Sequence, residues 1–239
     1  MNDQYLIEIR LRRSDMPSFD DYPFALPAVR ALSSLELHPA VTFIVGDNGA
    51  GKSTLLEAIA VAWGFNPEGG TKNLSFKTRP SHSELWKYLT LSRGVRRARD
   101  GFFLRAESFY NVASAIDRIG VEDSYGGVSL HAQSHGESFL ALITKRFGGS
   151  GLYILDEPEA ALSPTTQMSF ITRMHQLVGQ SSQFIIATHS PIVMAYPNAT
   201  IYQLEGDELT SVQYTETEHY TVARDFLTHH ERMLKLLME

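Results

Sequence analysis

The octapeptide Gly46-Asp47-Asn48-Gly49-Ala50-Gly51-Lys52-Ser53 constrains this chain more than any other feature. It fits G-x-x-x-x-G-K-[ST] and lies between a short β-branched run at residues 41–45 and a helical pattern at residues 53–63. In that pattern Leu55, Leu56, Ile59, Ala60 and Trp63 share one face. Glycines let the backbone wrap tightly, so that successive N–H groups and a helix N-terminus face an anion. Gly46, Asn48, Gly49, Ala50, Gly51, Lys52, Ser53 and Thr54 are therefore the candidate cradle for a nucleoside triphosphate. Lys52 would add a cation at the β- and γ-phosphates, and Ser53 a hydroxyl for magnesium.

The other half of such a site is an apolar strand that delivers a carboxylate to the metal, and Leu152-Tyr153-Ile154-Leu155-Asp156-Glu157 supplies it. Asp156 is the expected magnesium ligand, acting through its water shell. Glu157, one residue further on, is the expected general base that polarises the attacking water.

Period and punctuation place further elements around these two motifs. Strands are expected at residues 5–12, 102–106, 152–155 and 183–188, and a hairpin at 201–214 turning at 205–208. Helices are expected at 108–119, at 137–147, and from Ser163-Pro164, where a capping hydroxyl precedes a proline at the first helical position, to about 178. Beyond Glu218, the residues Val222, Phe226, Leu227, Leu234 and Leu237 suggest one terminal amphipathic helix. Apolar strands alternating with helices predict an α/β fold with a mainly parallel sheet flanked by helices. One domain over residues 1–239 is expected, with residues 64–150 as an inserted, largely helical region.

Composition excludes several classes. The absence of cysteine rules out disulfides, thiolate chemistry and Cys-ligated zinc. No apolar stretch approaches the roughly 20 residues of a membrane span, so direct membrane insertion is not expected. The amino terminus shows no apolar region after a basic one, so a cytoplasmic location is expected. The net charge of −6 conceals an island: residues 77–105 hold eight basic and two acidic residues, so the remainder carries −12. Arg93, Arg96, Arg97 and Arg99 form its densest part, which reads either as a docking face for nucleic acid or an acidic partner, or as a solvated helix surface beside a turn at Gly94.

Three further pieces follow in a telling order. Ser134-His135-Gly136-Glu137-Ser138 opens a helix 22 residues before Asp156 and resembles the LSGGQ signature, with Ser134 and Gly136 at its serine and second-glycine positions. Ala160-Ala161-Leu162-Ser163 falls at the D-loop position. His189, in Ala187-Thr188-His189-Ser190-Pro191, ends a strand 33 residues after Asp156, at the switch-histidine position. From about Val41 to Pro191 the chain resembles the ABC-class P-loop ATPases. LDEPEAALSP, SHGES and ATHSP look most like small stand-alone bacterial ATPases on the RecF and SMC side of that class.

The resemblance implies ATP and Mg2+ as ligands, an antiparallel N-terminal portion, a helical signature subdomain, and ATP-dependent head-to-tail homodimerisation. In that arrangement Ser134 and Gly136 face the γ-phosphate held by the other copy, His189 bonds the γ-phosphate or the attacking water, and Ser163 reaches across the dimer. ATP hydrolysis would then gate action on nucleic acid or a partner protein. The alternative is the nucleotide-binding subunit of a transporter with a separate permease. The sequence departs from transporter subunits in having no Gln between Lys52 and Gln133. Glu107, after the strand at 102–106, is the positional substitute and a candidate metal or water contact, or else an ordinary helix-capping acid. Phe19, Tyr22 and Phe24 are the candidates for stacking the adenine.

Overall fold

A computed structural model of the chain describes residues 4–72, 82–106, 109–120, 129–132 and 135–239. In chain order its strands and α-helices are β1 (Leu6–Leu11), α1 (Pro27–Ala31), β2 (Ser34–Glu36), β3 (Val41–Gly46), α2 (Lys52–Trp63), β4 (Leu89–Arg93), β5 (Asp100–Arg105) and α3 (Phe109–Ile119). There follow α4 (His135–Ala141), β6 (Gly151–Asp156), α5 (Pro164–Gly179), β7 (Gln183–Ala187), α6 (Pro191–Met194), β8 (Thr200–Glu205), β9 (Glu208–Val212), α7 (Glu218–Thr228) and α8 (His230–Met238). The main sheet runs β5-β6-β7-β3-β8-β9, parallel except for the β8–β9 hairpin. A second sheet, β2-β1-β4, is antiparallel.

The central strands are apolar throughout because both of their faces are covered. Ile44, Phe103, Ile154 and Ile185 point to the side packed by α2 and the small sheet. Phe43, Val45, Phe102, Tyr153, Leu155, Phe184 and Ile186 point to the opposite side, against residues of α3, α4 and α5. Gln183 joins the two sheets: its side-chain oxygen accepts from the N–H groups of Tyr5 and Leu6 at 3.1 and 3.0 Å, and its amide donates to the Leu6 and His38 carbonyls. A buried amide with all these partners satisfied fixes how the small sheet sits on the large one.

Five expectations change in detail. The strand β4 lies in a stretch noted in sequence only for its charge, although Leu89 and Leu91 alternate as a strand should. The basic residues are not on a helix: Arg93 ends β4, and Arg96, Arg97 and Arg99 lie exposed in the connection to β5. The helix expected at 137–147 is α-helical only to Ala141 and continues as a π turn over Leu142–Arg146. The single terminal helix breaks at His229, whose φ of −129° and ψ of 34° leave the helical region, giving α7 and α8. The 64–150 stretch holds β4 and β5 as well as α3 and α4.

Gly46 closes β3 at φ +147°, and a Cβ there would lie 2.6 Å from the Leu204 carbonyl oxygen of β8. Gly46→Ala is expected to destabilise the fold by about 2–5 kcal/mol through strain and overpacking against backbone. The check is a lower urea midpoint at unchanged m-value.

Candidate nucleotide site

Parallel strands deliver their C-terminal ends to one edge of the sheet, and the sequence motifs meet there. The loop after β3 turns through Gly49 (φ +79°) and Gly51 (φ +93°) into α2. At Gly51 a Cβ would approach Leu26 to 2.9 Å, so glycine is required where α1 packs on the loop. The Ala28 N–H donates to the Ala50 carbonyl at 2.9 Å and fastens that packing. Lys52, only 4% exposed, folds back over the loop and donates from Nζ to the carbonyls of Gly46 and Asp47, both at 2.8 Å. Burial lowers its pKa, opposed by the charges of Glu157, Asp156, Asp47 and Glu159. Asn48, Gly49, Gly51, Lys52, Ser53 and Thr54 line a cavity of about 250 Å³ together with Leu26 and Glu157.

At the end of β6 the buried Asp156 accepts from Ser53 Oγ at 3.1 Å. A hydroxyl and a carboxylate brought together at the mouth of a phosphate loop form an oxygen-only donor pair suited to magnesium, which takes few protein ligands and completes its shell with phosphate and water. No group of three or more His, Asp or Glu converges to hold a metal by itself among the described residues. Arg105, at the end of β5 and in register with Asp156, places Nε 4.0 Å from its Oδ2 and pairs with Glu57 at 2.7 Å. Sequence reasoning did not single out Arg105, because only the sheet register reveals that it neighbours Asp156.

Glu157 follows in the left-handed region, at φ 50° and ψ 53°, and its N–H is held by the Ala187 carbonyl at 2.9 Å. A non-glycine residue in that conformation costs about 1–3 kcal/mol, and such strain clusters at functional sites. The turn leaves the Glu157 carboxylate partly exposed, 3.5 Å from Nε2 of His189 at the end of β7. Two residues later Glu159 turns inward, and its Oε1 accepts from the His189 N–H at 2.6 Å, which pins the backbone of His189. Burial raises the Glu159 pKa. A carboxylate two residues beyond Glu157 carries no signal in sequence, since its target lies 30 positions away.

The His189 ring also meets a residue that the sequence did not suggest: Nδ1 of His189 and Nε2 of His219, from α7, are 3.1 Å apart. Burial, then the nearby Lys52 charge, lowers the pKa of both rings, so both are neutral at pH 7. For such a group the unfolded chain takes up protons first as pH falls, so the stabilisation is complete above the ordinary value of 6.5 and declines below it. The thermal midpoint is therefore expected to be level from pH 8 to 7 and to fall as the pH is lowered below about 6.5. Scanning calorimetry across buffers of matched ionic strength checks this.

Ser163 caps α5 by accepting from the Thr166 N–H at 3.2 Å, with Pro164 at the first helical position as expected. Gly136 lies in the first turn of α4. Ser134 and Glu107 fall outside the described residues. Of the three candidate base-stacking aromatics, Phe24 is core, packed edge-to-face on Tyr88 at 5.2 Å, and Phe19 lies beneath the Arg13 guanidinium. Tyr22, 67% exposed, is the one turned to solvent. No helix among the described residues is long and apolar enough to cross a membrane.

Comparison with known proteins agrees with this geometry. The model of a family described as "AAA domain" matches residues 28–104, and that of "AAA domain, putative AbiEii toxin, Type IV TA system" matches residues 91–195. The chain is 28% identical over 171 residues to ABC transporter G family member STR2 of Medicago truncatula, covering 63% of this chain and 24% of that protein. It is 27% identical over 203 residues to the cytochrome c biogenesis ATP-binding export protein CcmA of Rhizobium meliloti (strain 1021), covering 77% and 89%. The chain thus spans about a quarter of the first relative and most of the second. Among solved structures, CbiO1 of Clostridium perfringens, part of the ABC transporter complex CbiONQ, superposes with a TM-score of 0.51 at 18% identity, covering 99% of this chain and 100% of that one. That likeness concerns the fold.

The phosphate loop, the carboxylates after β6, the histidine after β7 and these matches agree on a class: the chain has the fold and the nucleotide-site motifs of the ABC-class P-loop ATPases. Members of this class bind ATP with Mg2+ and hydrolyse it.

Proposed function

We propose that the chain hydrolyses ATP at this site and closes head to tail with a second copy around two nucleotides, so that turnover gates action on nucleic acid or a partner protein in the cytoplasm. The reading rests on one observation: Glu157 and His189, from the ends of two different strands, converge at 3.5 Å beside the phosphate loop. Lys52 would exchange its two loop carbonyls for phosphate oxygens. Ser53 and Asp156 would hold magnesium, which when bound neutralises phosphate charge and orients the γ-phosphoryl group. Glu157 would take the proton of the attacking water, and His189 would hydrogen-bond the transferred group. Ser134 and Gly136 of the opposite copy would complete the anion site, with Ser163 beside them and Glu107 near the metal. Tyr22 would stack on the base.

The solution mass of Glu157→Gln with and without ATP and magnesium tests the reading. A monomer that doubles from 26.7 kDa only with ATP is the expected result. Binding without a change of mass would overturn head-to-tail closure.

The exposed turn with Arg96, Arg97 and Arg99 precedes β5 and so lies at the edge of the sheet opposite the phosphate loop, which leaves the nucleotide face open to a second copy. Binding to a DNA duplex is expected to be salt-dependent, with the log–log slope reduced by about one for each of these arginines that is removed and had contacted a phosphate. The transporter-subunit alternative is supported by the relatives, one an ABC transporter G family member and the other an ATP-binding export protein. Co-purification with a multispanning membrane protein would establish it in place of the nucleic-acid reading.

A further inference from the structure

We infer that His219 is a positioning residue for His189, donating from Nε2 to Nδ1 of His189 and so turning the Nε2–H of His189 toward the Glu157 carboxylate. The inference rests on the ATPase reading above. Two neutral imidazoles 3.1 Å apart share one proton along the contact, and two arrangements are open. If His189 were the donor, its Nε2 would carry a lone pair facing the Glu157 carboxylate at 3.5 Å. His219 would then hold its own proton on Nδ1, a buried atom without a hydrogen-bond partner. That arrangement sets a lone pair against an anion and orphans a buried donor. If His219 is the donor, an N–H faces the carboxylate, and the atom left over is an acceptor, the cheaper kind of group to leave unpaired.

The fold supplies a rigid mount for His219. Thr217, fully buried, caps α7 by accepting from the Tyr220 N–H at 3.3 Å. Tyr214, just upstream, donates from its hydroxyl to the Pro191 carbonyl at 2.9 Å, tying this corner to the segment that carries His189. Glu159 holds the His189 backbone and His219 its ring, so neither translation nor tautomer is left to solvent. The carboxyl-terminal helices are thereby joined to the reacting centre through one hydrogen bond.

The experiment compares His219→Leu with His219→Gln, whose side-chain amide can still donate to Nδ1, each in the wild-type and His189→Ala backgrounds. Phosphate release should fall about tenfold in His219→Leu with the KM for ATP changed less than threefold. His219→Gln should recover most of the loss, and His219→Leu should have no further effect once His189 is alanine. In parallel, long-range 1H–15N correlation of histidine-labelled protein reads the tautomer without turnover: His189 should be protonated on Nε2 in the wild type and shift toward a mixture in His219→Leu. A wild-type His189 protonated on Nδ1, equal damage from Leu and Gln, or an undiminished loss in the His189→Ala background would each overturn the inference. A wild type that shows the expected tautomer without hydrolysing ATP would instead overturn the ATPase reading.

Discussion

Glu157→Gln is expected to lower ATP turnover by about 10²–10⁴-fold while leaving nucleotide affinity within a few-fold of the wild type. The substitution keeps the size and planarity of the side chain. It therefore keeps the left-handed turn, which is held by the backbone bond to Ala187 and not by the carboxylate. What it removes is the basic oxygen. That oxygen stands partly exposed at the edge of the phosphate-loop cavity, 3.5 Å from His189 Nε2, where a water attacking a γ-phosphate would have to give up its proton. The neighbouring Asp156 cannot take over, because it is buried and occupied with Ser53 and Arg105. Phosphate release at saturating ATP, beside calorimetric binding of ATP, separates the two quantities. Turnover within threefold of the wild type would remove Glu157 from the role of base.

Lys52→Ala should act on binding. Its ammonium makes two bonds of 2.8 Å within the loop and would make two charge-assisted bonds to phosphate oxygens in their place. At about 1.5–3 kcal/mol for each such bond, ATP affinity is expected to drop on the order of 10²-fold or more. Hydrolysis should vanish at ordinary ATP concentrations, and the stabilisation by ATP seen in a thermal shift should vanish with it. Undiminished affinity would mean that the phosphates sit elsewhere. Because the alanine also leaves the Gly46 and Asp47 carbonyls without the ammonium, a modest fall in the midpoint of the free protein is expected too.

Much of this site is local in sequence and was legible for that reason. A phosphate loop is one strand end, one turn and one helix start, so its residues signal together at fixed spacing, and Asp156-Glu157 likewise follow a strand directly. The parallel α/β fold followed from strands that are apolar on both faces. The N-cap at Ser163 followed from a hydroxyl before a proline. Long-range neighbours were not legible. Arg105 meets Asp156 only through the register of two parallel strands, Gln183 ties Leu6 across 177 positions, and His219 reaches His189 only because the segment after β9 carries the chain back beside Gly46, Asp47 and the end of β8. The break at His229 was hidden because the apolar spacing of the terminal segment continues through it.

The sequence by itself marked out the candidate phosphate loop, the carboxylates that accompany it and the class of ATPase the chain resembles, since those depend on residues within one turn or one strand end of each other. Only the tertiary structure decided how His189 is held, by Glu159 at its backbone and His219 at its ring. A hydrogen bond acts over about 3 Å whatever the separation along the chain, and no periodicity in the sequence records which distant residues folding brings within that reach.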